Sequence, residues 1–346
     1  MSTSGGGITY SVAGVDIDRG DSASRMAAGH ARTTFLAGVE ERFGVVLMDL
    51  LSVLQSYTRP KLITAADGVG TKLKLAFMSG KHDTVGIDLV AMVVNDLLRR
   101  GAKPLGLLCY LATSRIDLAV ADALYRSVAQ GCQLGQCSYL GGETAEMPDF
   151  YSPGEYDMAG FAFGVVEDGQ EITGERITEG DVIIGLPSVE LHSNGYSLVR
   201  RVLLPKYGLD ARIPELGDRL LIDVLLEPTK IYTQAILLLV SKIEVHGIAH
   251  ITGSGLTGKV GKILPKGLTA VIHRNRWQPH AIFDLVQREG NVAEDEMFRT
   301  FNMGFGMVAI LPLREAQSAI DILVSKGESP VEIGAVVNGS GGVRYM

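Results

Sequence analysis

The chain has 346 residues, 46% of them hydrophobic and 21% charged, with a formal net charge of -7 at pH 7. That length exceeds one ordinary domain and suits two, and the balance of apolar to charged residues indicates neither a disordered chain nor a membrane protein. The acidic net charge excludes a broad nucleic-acid footprint, which needs clustered Lys and Arg, and no apolar run approaches the length of a membrane span.

In chain order, residues 1–7 are small, polar and Gly-rich, with no basic or apolar leader pattern, and read as a flexible start to a cytoplasmic protein. Residues 61–64 read as a strand entering the turn Asp67-Gly68-Val69-Gly70. From Asp88, apolar Leu89, Val90, Val93, Val94, Leu97 and Leu98 recur at helical spacing, and Gly101 with Pro104 closes that helix. A buried strand at 105–111, a helix at about 117–133, a strand at 138–140 and another at 158–166 follow. This alternation predicts an α/β (α+β) fold, with a mixed sheet and helices in the N-terminal domain. Residues 167–181 hold six acidic residues and three glycines with little that suits a core, which sets the boundary between a domain at 1–168 and one at 169–346. The second, an α/β domain, restarts with a strand at 182–186. Helices are predicted there at 197–204, 220–241, 256–264, 280–289 and 313–326, and strands near 270–273, 306–311 and 331–337. The three cysteines, Cys109, Cys132 and Cys137, are odd in number and lack C-x-x-C spacing, which predicts reduced thiols.

Four clusters carry residues suited to phosphate and divalent-cation chemistry. Asp67-Gly68-Val69-Gly70-Thr71-Lys72 sets a carboxylate, glycine N–H groups, a hydroxyl and an ammonium at a strand end, suited to Mg2+ and phosphate oxygens. Its order is not that of a P-loop, and a glycine turn with a solvated Lys reads it equally well. Asp88 and Asn95 stand seven residues apart along one helix edge, with Asp96 about 100° further round; a helix cap and a solvated face account for the same residues. Gly141-Gly142-Glu143-Thr144-Ala145-Glu146 offers two carboxylates after a glycine pair, as a magnesium site or as the acidic rim of a turn. His192-Ser193-Asn194-Gly195 opens a helix, where free N–H groups hold anions and His192 could donate to phosphate or move a proton. An Asn-Gly turn with a capping Ser is the plain alternative. Gly253-Ser254-Gly255-Leu256-Thr257-Gly258 matches a dinucleotide fingerprint locally, but the ribose-binding acid expected about 20 residues on is missing, so it reads as a loop opening a helix. His246 and His250 are spaced like zinc ligands without a glutamate or third ligand, and read as core or substrate-facing imidazoles.

In this order and at these distances, the clusters resemble the phosphoribosylformylglycinamidine cyclo-ligase, or aminoimidazole ribonucleotide synthetase, family. The resemblance runs on through Ala13-Gly14-Val15-Asp16-Ile17-Asp18, residues 82–92, Pro228-Thr229-Lys230-Ile231-Tyr232, residues 246–252 and residues 297–304, nearly the whole chain. It implies a homodimer whose N-terminal domains join their sheets into a shared barrel, with the nucleotide site near that interface. It also implies that ATP and Mg2+ phosphorylate the formyl amide oxygen of formylglycinamidine ribonucleotide, after which a ring-closing nitrogen attacks that carbon and phosphate leaves. The protein would then supply position and charge neutralisation.

Carried over residue by residue, the resemblance implies Asp67, Asp96 and Glu143 as Mg2+ ligands. It implies Gly68, Gly70, Thr71, Asn95, Gly142, Thr144 and Asn194 as nucleotide contacts, with Lys72 and His192 at phosphate oxygens. Lys72, His192 and Asp96 form the implied catalytic set, and Thr252, Gly253, Arg299 and Asn302 the implied substrate cleft. Against the family pattern, Ser11 and Val12 replace a Lys-Asp pair, Ala28 a lysine, Ala66 a threonine and Cys109 an aspartate. Val189-Glu190 replaces a Ser-Gly, Ser254 replaces the central glycine of three, and residues 38–44 keep glycine only at the ends of a Gly-rich loop. These replacements raise the alternative of a dimeric nucleotide-binding or regulatory paralogue without ring-closing activity; Asp67, Lys72, Asp96, Glu143 and His192 favour the enzyme.

Overall fold

The computed structural model describes residues 8–346, so the Gly-rich start at 1–7 lies outside the described residues. The N-terminal half contains α1 (Ile17–Arg32), a hairpin of β1 (Val39–Arg42) and β2 (Val45–Met48), α2 (Leu50–Leu54), β3 (Pro60–Gly68), α3 (Leu73–Ser79), α4 (Val85–Leu98), β4 (Lys103–Thr113), α5 (Leu118–Gly135), β5 (Ser138–Glu146) and β6 (Tyr156–Glu167). The C-terminal half continues with β7 (Val182–Pro187), α6 (Tyr196–Leu203), α7 (Leu221–Leu225), α8 (Thr233–Lys242), β8 (Gly247–His250), α9 (Gly255–Ile263) and β9 (Leu268–Ile272). It ends with α10 (Ala281–Gly290), α11 (Glu294–Thr300), β10 (Phe305–Leu311), α12 (Ala316–Val324), β11 (Val331–Asn338) and β12 (Val343–Tyr345).

The first half is built on a four-stranded mixed sheet of order β3-β6-β4-β5, in which only β4 and β5 run parallel. Its apolar stripe holds α4 in place: Leu89, Val90, Val93, Val94, Leu97 and Leu98 are fully buried, between the sheet and α5. Gly86 permits that helix crossing, because a Cβ there would stand 2.5 Å from the Val128 nitrogen. Asp117 caps α5 through its Oδ1, which accepts from the amides of Ala119 and Val120. The helix stops in a Schellman turn, with Gln136 left-handed at φ 53, and the amide of Cys137 donating to the carbonyl of Cys132 at 3.0 Å. That motif brings the thiols of Cys132 and Cys137 together, and all three cysteines are free and buried.

The other face of this sheet is uncovered by the described residues: Leu62, Leu108 and Phe161 are 66%, 43% and 49% exposed. The second half is built on a six-stranded sheet of order β12-β9-β11-β7-β10-β8, antiparallel except at the β12–β9 pair. Every residue of β8, β9 and β10 is buried.

Several expectations are corrected. The helix expected over 220–241 is two helices, α7 and α8, because Pro228 lacks the N–H that a helix interior needs and pushes its predecessor towards extended backbone. Asp88 does not cap α4; it lies within the first turn and is fully buried. The expected helix at 313–326 begins as a 3-10 turn over Leu313–Glu315 before α12. The periodicity reading passed over α1, whose stripe is made of small residues and whose fully buried positions are only Ala23 and Ala31.

Candidate active site between the two halves

The expected site residues fall in three places. The first is a cleft where the end of β3 meets the C-terminal half. Asp67 is exposed there, its Oδ1 accepting from the amide of Gly68 at 2.8 Å. The turn that follows, with Gly70 at φ 75, brings the Thr71 hydroxyl within 3.1 Å of the Ser197 hydroxyl at the start of α6. Asp96, near the end of α4, is partly exposed, and its Oδ1 accepts from Arg99 Nε at 3.1 Å and pairs with His250 Nδ1 at 2.9 Å. Burial pushes the Asp96 carboxyl up, but His250 and Arg99 more than reverse that, leaving it well below the usual carboxylate range.

Lys259 on α9 is influenced by both Asp96 and Asp67, and its ammonium is lowered, chiefly by burial. Asn194 and Gly253 face each other across the cleft, the Asn194 Oδ1 standing 3.6 Å from where a Gly253 Cβ would be. Buried Asn194 Nδ2, Ser254 Oγ and His250 Nε2 have no hydrogen-bond partner among the described residues. Thr252 is buried beside this loop, and Arg299 is exposed on α11.

The second place is a cavity of about 910 Å³ between α1, the β1–β2 hairpin and β5. Asp16, Arg25, Ala28, Glu41, Gly142, Glu143 and Thr144 line it. Gly142 is required by close approach, since a Cβ there would meet the Cys109 carbonyl oxygen at 1.7 Å. The hairpin is tied to α1 by a two-pronged pair, Arg32 Nε and Nη2 to Glu41, both at 2.8 Å. Glu146 is committed to the fold, accepting from the amides of Asp16 and Ile116.

This division separates the expected metal set within one chain. Asp67 is opposite Gly160, Gly160 opposite Cys109 and Cys109 opposite Gly142, so Glu143 sits three strands from Asp67, roughly 14 Å at the usual strand spacing. Among the described residues no three His, Cys, Asp or Glu gather as a metal site, and the chain does not bring Asp67 and Glu143 together.

The third place is the buried contact between the halves, where four residues of the expected set of ligand contacts bond to the protein itself. Lys72 is fully buried, with Nζ donating to Asp88 Oδ1 at 3.0 Å and to the carbonyls of His192 and Glu227 at 3.1 and 2.6 Å. All three of its protons are used, so none is free for phosphate. Asn95 is fully buried, donating to the Lys230 carbonyl at 2.8 Å and accepting from the Tyr232 amide at 3.2 Å. His192 is enclosed at φ 60, and its Nε2 accepts from the amides of Val189 and Lys230. Burial, then His250 and Lys72, hold the imidazole well below its usual range, so it is neutral, and its Nδ1 has no partner among the described residues. Asn302 is buried and supports the loop before His192, accepting from Ser188 Oγ and donating to the Glu190 carbonyl.

Sequence reasoning missed His250 as the partner of Asp96, although its spacing from His246 had drawn attention to it. It also missed Lys259, one residue beyond the Gly-rich segment set aside as a decoy. That segment joins β8 to α9, but β8 is an antiparallel edge strand, not the parallel strand of a dinucleotide fold. Two replacements keep a glycine-like backbone: Ser254 and Glu190 adopt φ 76 and φ 50, a conformation that costs a residue with a Cβ about 1 kcal/mol. Cys109 is buried and its thiol is pushed up to about 12 by that burial.

The family description AIR synthase related protein, N-terminal domain, matches residues 49–166, and its C-terminal counterpart matches residues 178–346. The chain is 47% identical over 339 residues to the phosphoribosylformylglycinamidine cyclo-ligase of Anaeromyxobacter dehalogenans, covering 97% of each. It is 48% identical over 339 residues to that of Myxococcus xanthus, again covering 97% of each. In fold it is similar to a thiamine-monophosphate kinase from Stenotrophomonas maltophilia, with a TM-score of 0.66, 18% identity, and coverage of 93% of this chain and 94% of that one. The chain therefore belongs to the AIR synthase related family.

Proposed function

We propose that this chain closes the imidazole ring of aminoimidazole ribonucleotide, using ATP to activate formylglycinamidine ribonucleotide. The observation that carries this reading is the cleft itself: Asp96 pairs with His250, and the turn after Asp67 meets Ser197 through Thr71, beside a loop pair that presents unpartnered polar atoms. Asp96 stays anionic at neutral pH, and an oxygen-donor set of this kind fits Mg2+. Asp67 and Asp96 would hold the cation, with Glu143 of the partner subunit completing the set. The bound cation supplies charge neutralisation at the phosphates.

The glycine turn at 68–71 lets backbone and the Thr71 hydroxyl approach the triphosphate, with Gly142 of the partner subunit and Thr144 of the partner subunit on the nucleotide's other side. Asn194 Nδ2, Thr252, Gly253 and Arg299 orient the ribonucleotide. An amide oxygen is a poor leaving group and phosphate a good one, so the cleft has to align the reacting groups and supply charge rather than a covalent nucleophile. Lys259, half-buried and lowered in pKa, is a cation beside the carboxylates that can meet phosphate oxygens.

A second copy completes the site in this reading. The uncovered face bearing Leu62, Leu108 and Phe161 is the surface through which two sheets would join, since a contiguous exposed apolar patch marks an interaction site. Residues 1–168 would form the nucleotide-binding and dimerisation domain, 169–346 the domain that closes the cleft, and the protein would work in the cytoplasm. Among the described residues no helix is long and apolar enough to cross a membrane. The regulatory alternative is not favoured, because Ser254 and Glu190 keep the backbone that a glycine would adopt.

The test is direct. Purified protein with formylglycinamidine ribonucleotide and Mg-ATP is expected to yield ADP, phosphate and aminoimidazole ribonucleotide in equal amounts. Asp67→Asn or Asp96→Asn is expected to lower turnover by roughly 10³-fold or more with the fold retained, since each removes a group that neutralises transition-state charge. Nucleotide binding with no aminoimidazole product from the wild type would sink the reading and leave the regulatory one.

A further inference from the structure

We propose that the buried Lys72–Asp88 pair is a positioning device that sets the geometry of the substrate cleft, and that Lys72 makes no contact with nucleotide. The inference rests on the cleft assigned above and concerns residues outside its walls. Asp88 Oδ1 collects four donors: Lys72 Nζ at 3.0 Å, Ser193 Oγ at 2.9 Å, the Thr229 amide at 2.7 Å and the Thr229 hydroxyl at 2.6 Å. Lys72 and Asp88 belong to the N-terminal half, whereas Ser193, Thr229 and the carbonyls of His192 and Glu227 that accept from Lys72 belong to the C-terminal half. The cluster therefore ties both halves at one point, and both side chains of the ion pair are 0% exposed.

Its members adjoin the cleft without entering it. Lys72 follows Thr71, Ser193 precedes Asn194, and the knot thereby fixes the glycine turn of one half against the helix-opening loop of the other. Two halves joined by an ordinary interface shift relative to each other; a desolvated network whose donors converge on one carboxylate oxygen holds one geometry. A buried ion pair is a poor source of stability compared with apolar groups of similar shape, so its presence here is accounted for by the orientation it imposes.

Three variants test this. Lys72→Met combined with Asp88→Leu removes both charges together, and Thr229→Val removes one hydroxyl, with Thr229→Ser as the conservative control. Each would be measured for ADP affinity, for KM and kcat with formylglycinamidine ribonucleotide, and for amide hydrogen exchange at residues 192–197. The double variant is expected to bind ADP within about twofold of wild type, to lose roughly 100-fold in kcat/KM for the ribonucleotide, and to exchange faster at 192–197. Thr229→Val should show a weaker form of the same pattern, restored by Thr229→Ser. A tenfold or greater loss of ADP affinity with an unchanged ribonucleotide KM would make Lys72 a phosphate ligand and overturn the proposal. Wild-type exchange and kinetics in Thr229→Val would overturn it too, even if the double variant failed to fold. Hydrogen exchange and ADP binding judge the knot whether or not the wild type turns over this ribonucleotide, so a failure of the ring-closing reading is seen separately.

Discussion

The two sheets of this chain differ in how much of themselves they hide. Strands β8, β9 and β10 of the C-terminal sheet are buried at every position, whereas the N-terminal sheet covers one face with α4 and α5 and leaves Leu62, Leu108 and Phe161 in the open. One chain thus finishes the first of these sheets and leaves the other half-finished. The same division runs through the chemistry: the cleft carboxylate Asp67 sits on the opposite edge strand of the unfinished sheet from Glu143. Under the proposed reading, a second copy would resolve both shortages at once.

The comparison breaks most sharply at Phe161. Phe161→Asp puts an unpaired charge on the open face, and it is expected to weaken self-association by about three orders of magnitude, the several kcal/mol that such a burial costs. Sedimentation of wild type and variant would show it, and an unchanged dimer would end the face-to-face arrangement. In the finished sheet the expected effect is on folding instead. Ile310→Ala empties a fully buried position and should cost about 3 kcal/mol in denaturant unfolding. Leu62→Ala, made in the Phe161→Asp background so that association does not contribute, should cost under about 0.5 kcal/mol.

The remaining effect is a pH slope. His192 is held well below its usual range in the fold, while the unfolded imidazole takes a proton near pH 6.5. Below that pH the unfolded chain binds more protons, so stability falls as the pH drops, by up to about 1.4 kcal/mol per unit from this one group. Asn tolerates left-handed backbone, so His192→Asn should flatten the loss measured between pH 6.5 and pH 5, leaving the contribution of His82, which burial also lowers. An identical slope in the variant would show that His192 is protonated in the fold.

What was legible in the sequence was whatever repeats locally. The apolar stripe of α4 and the runs of β7 and β10 announce themselves because their neighbours on the same face are a turn or two residues away. The break at Pro228 was equally local and was overlooked in favour of a long apolar pattern. The partners of Lys72, Asn95 and His192 were not legible, because a Lys after a glycine turn looks the same whether it faces phosphate or a buried Asp88. Only the approach of the 192 and 227–232 segments, more than a hundred residues along, decides between them. The division of the expected metal set was hidden for a related reason: acidic motifs can be read in order without knowing that β6 and β4 lie between the strands carrying Asp67 and Glu143.

The placement of the cysteines has a practical consequence. Cys109, Cys132 and Cys137 all belong to the half that carries the open sheet, and none is more than 3% exposed. A thiol reagent added to native protein should therefore be silent, and its reaction in denaturant would time the opening of that half alone. Set beside the fluorescence of Trp277, which sits in the other half and donates to the Met303 carbonyl, it would tell whether the two halves come apart together or one after the other.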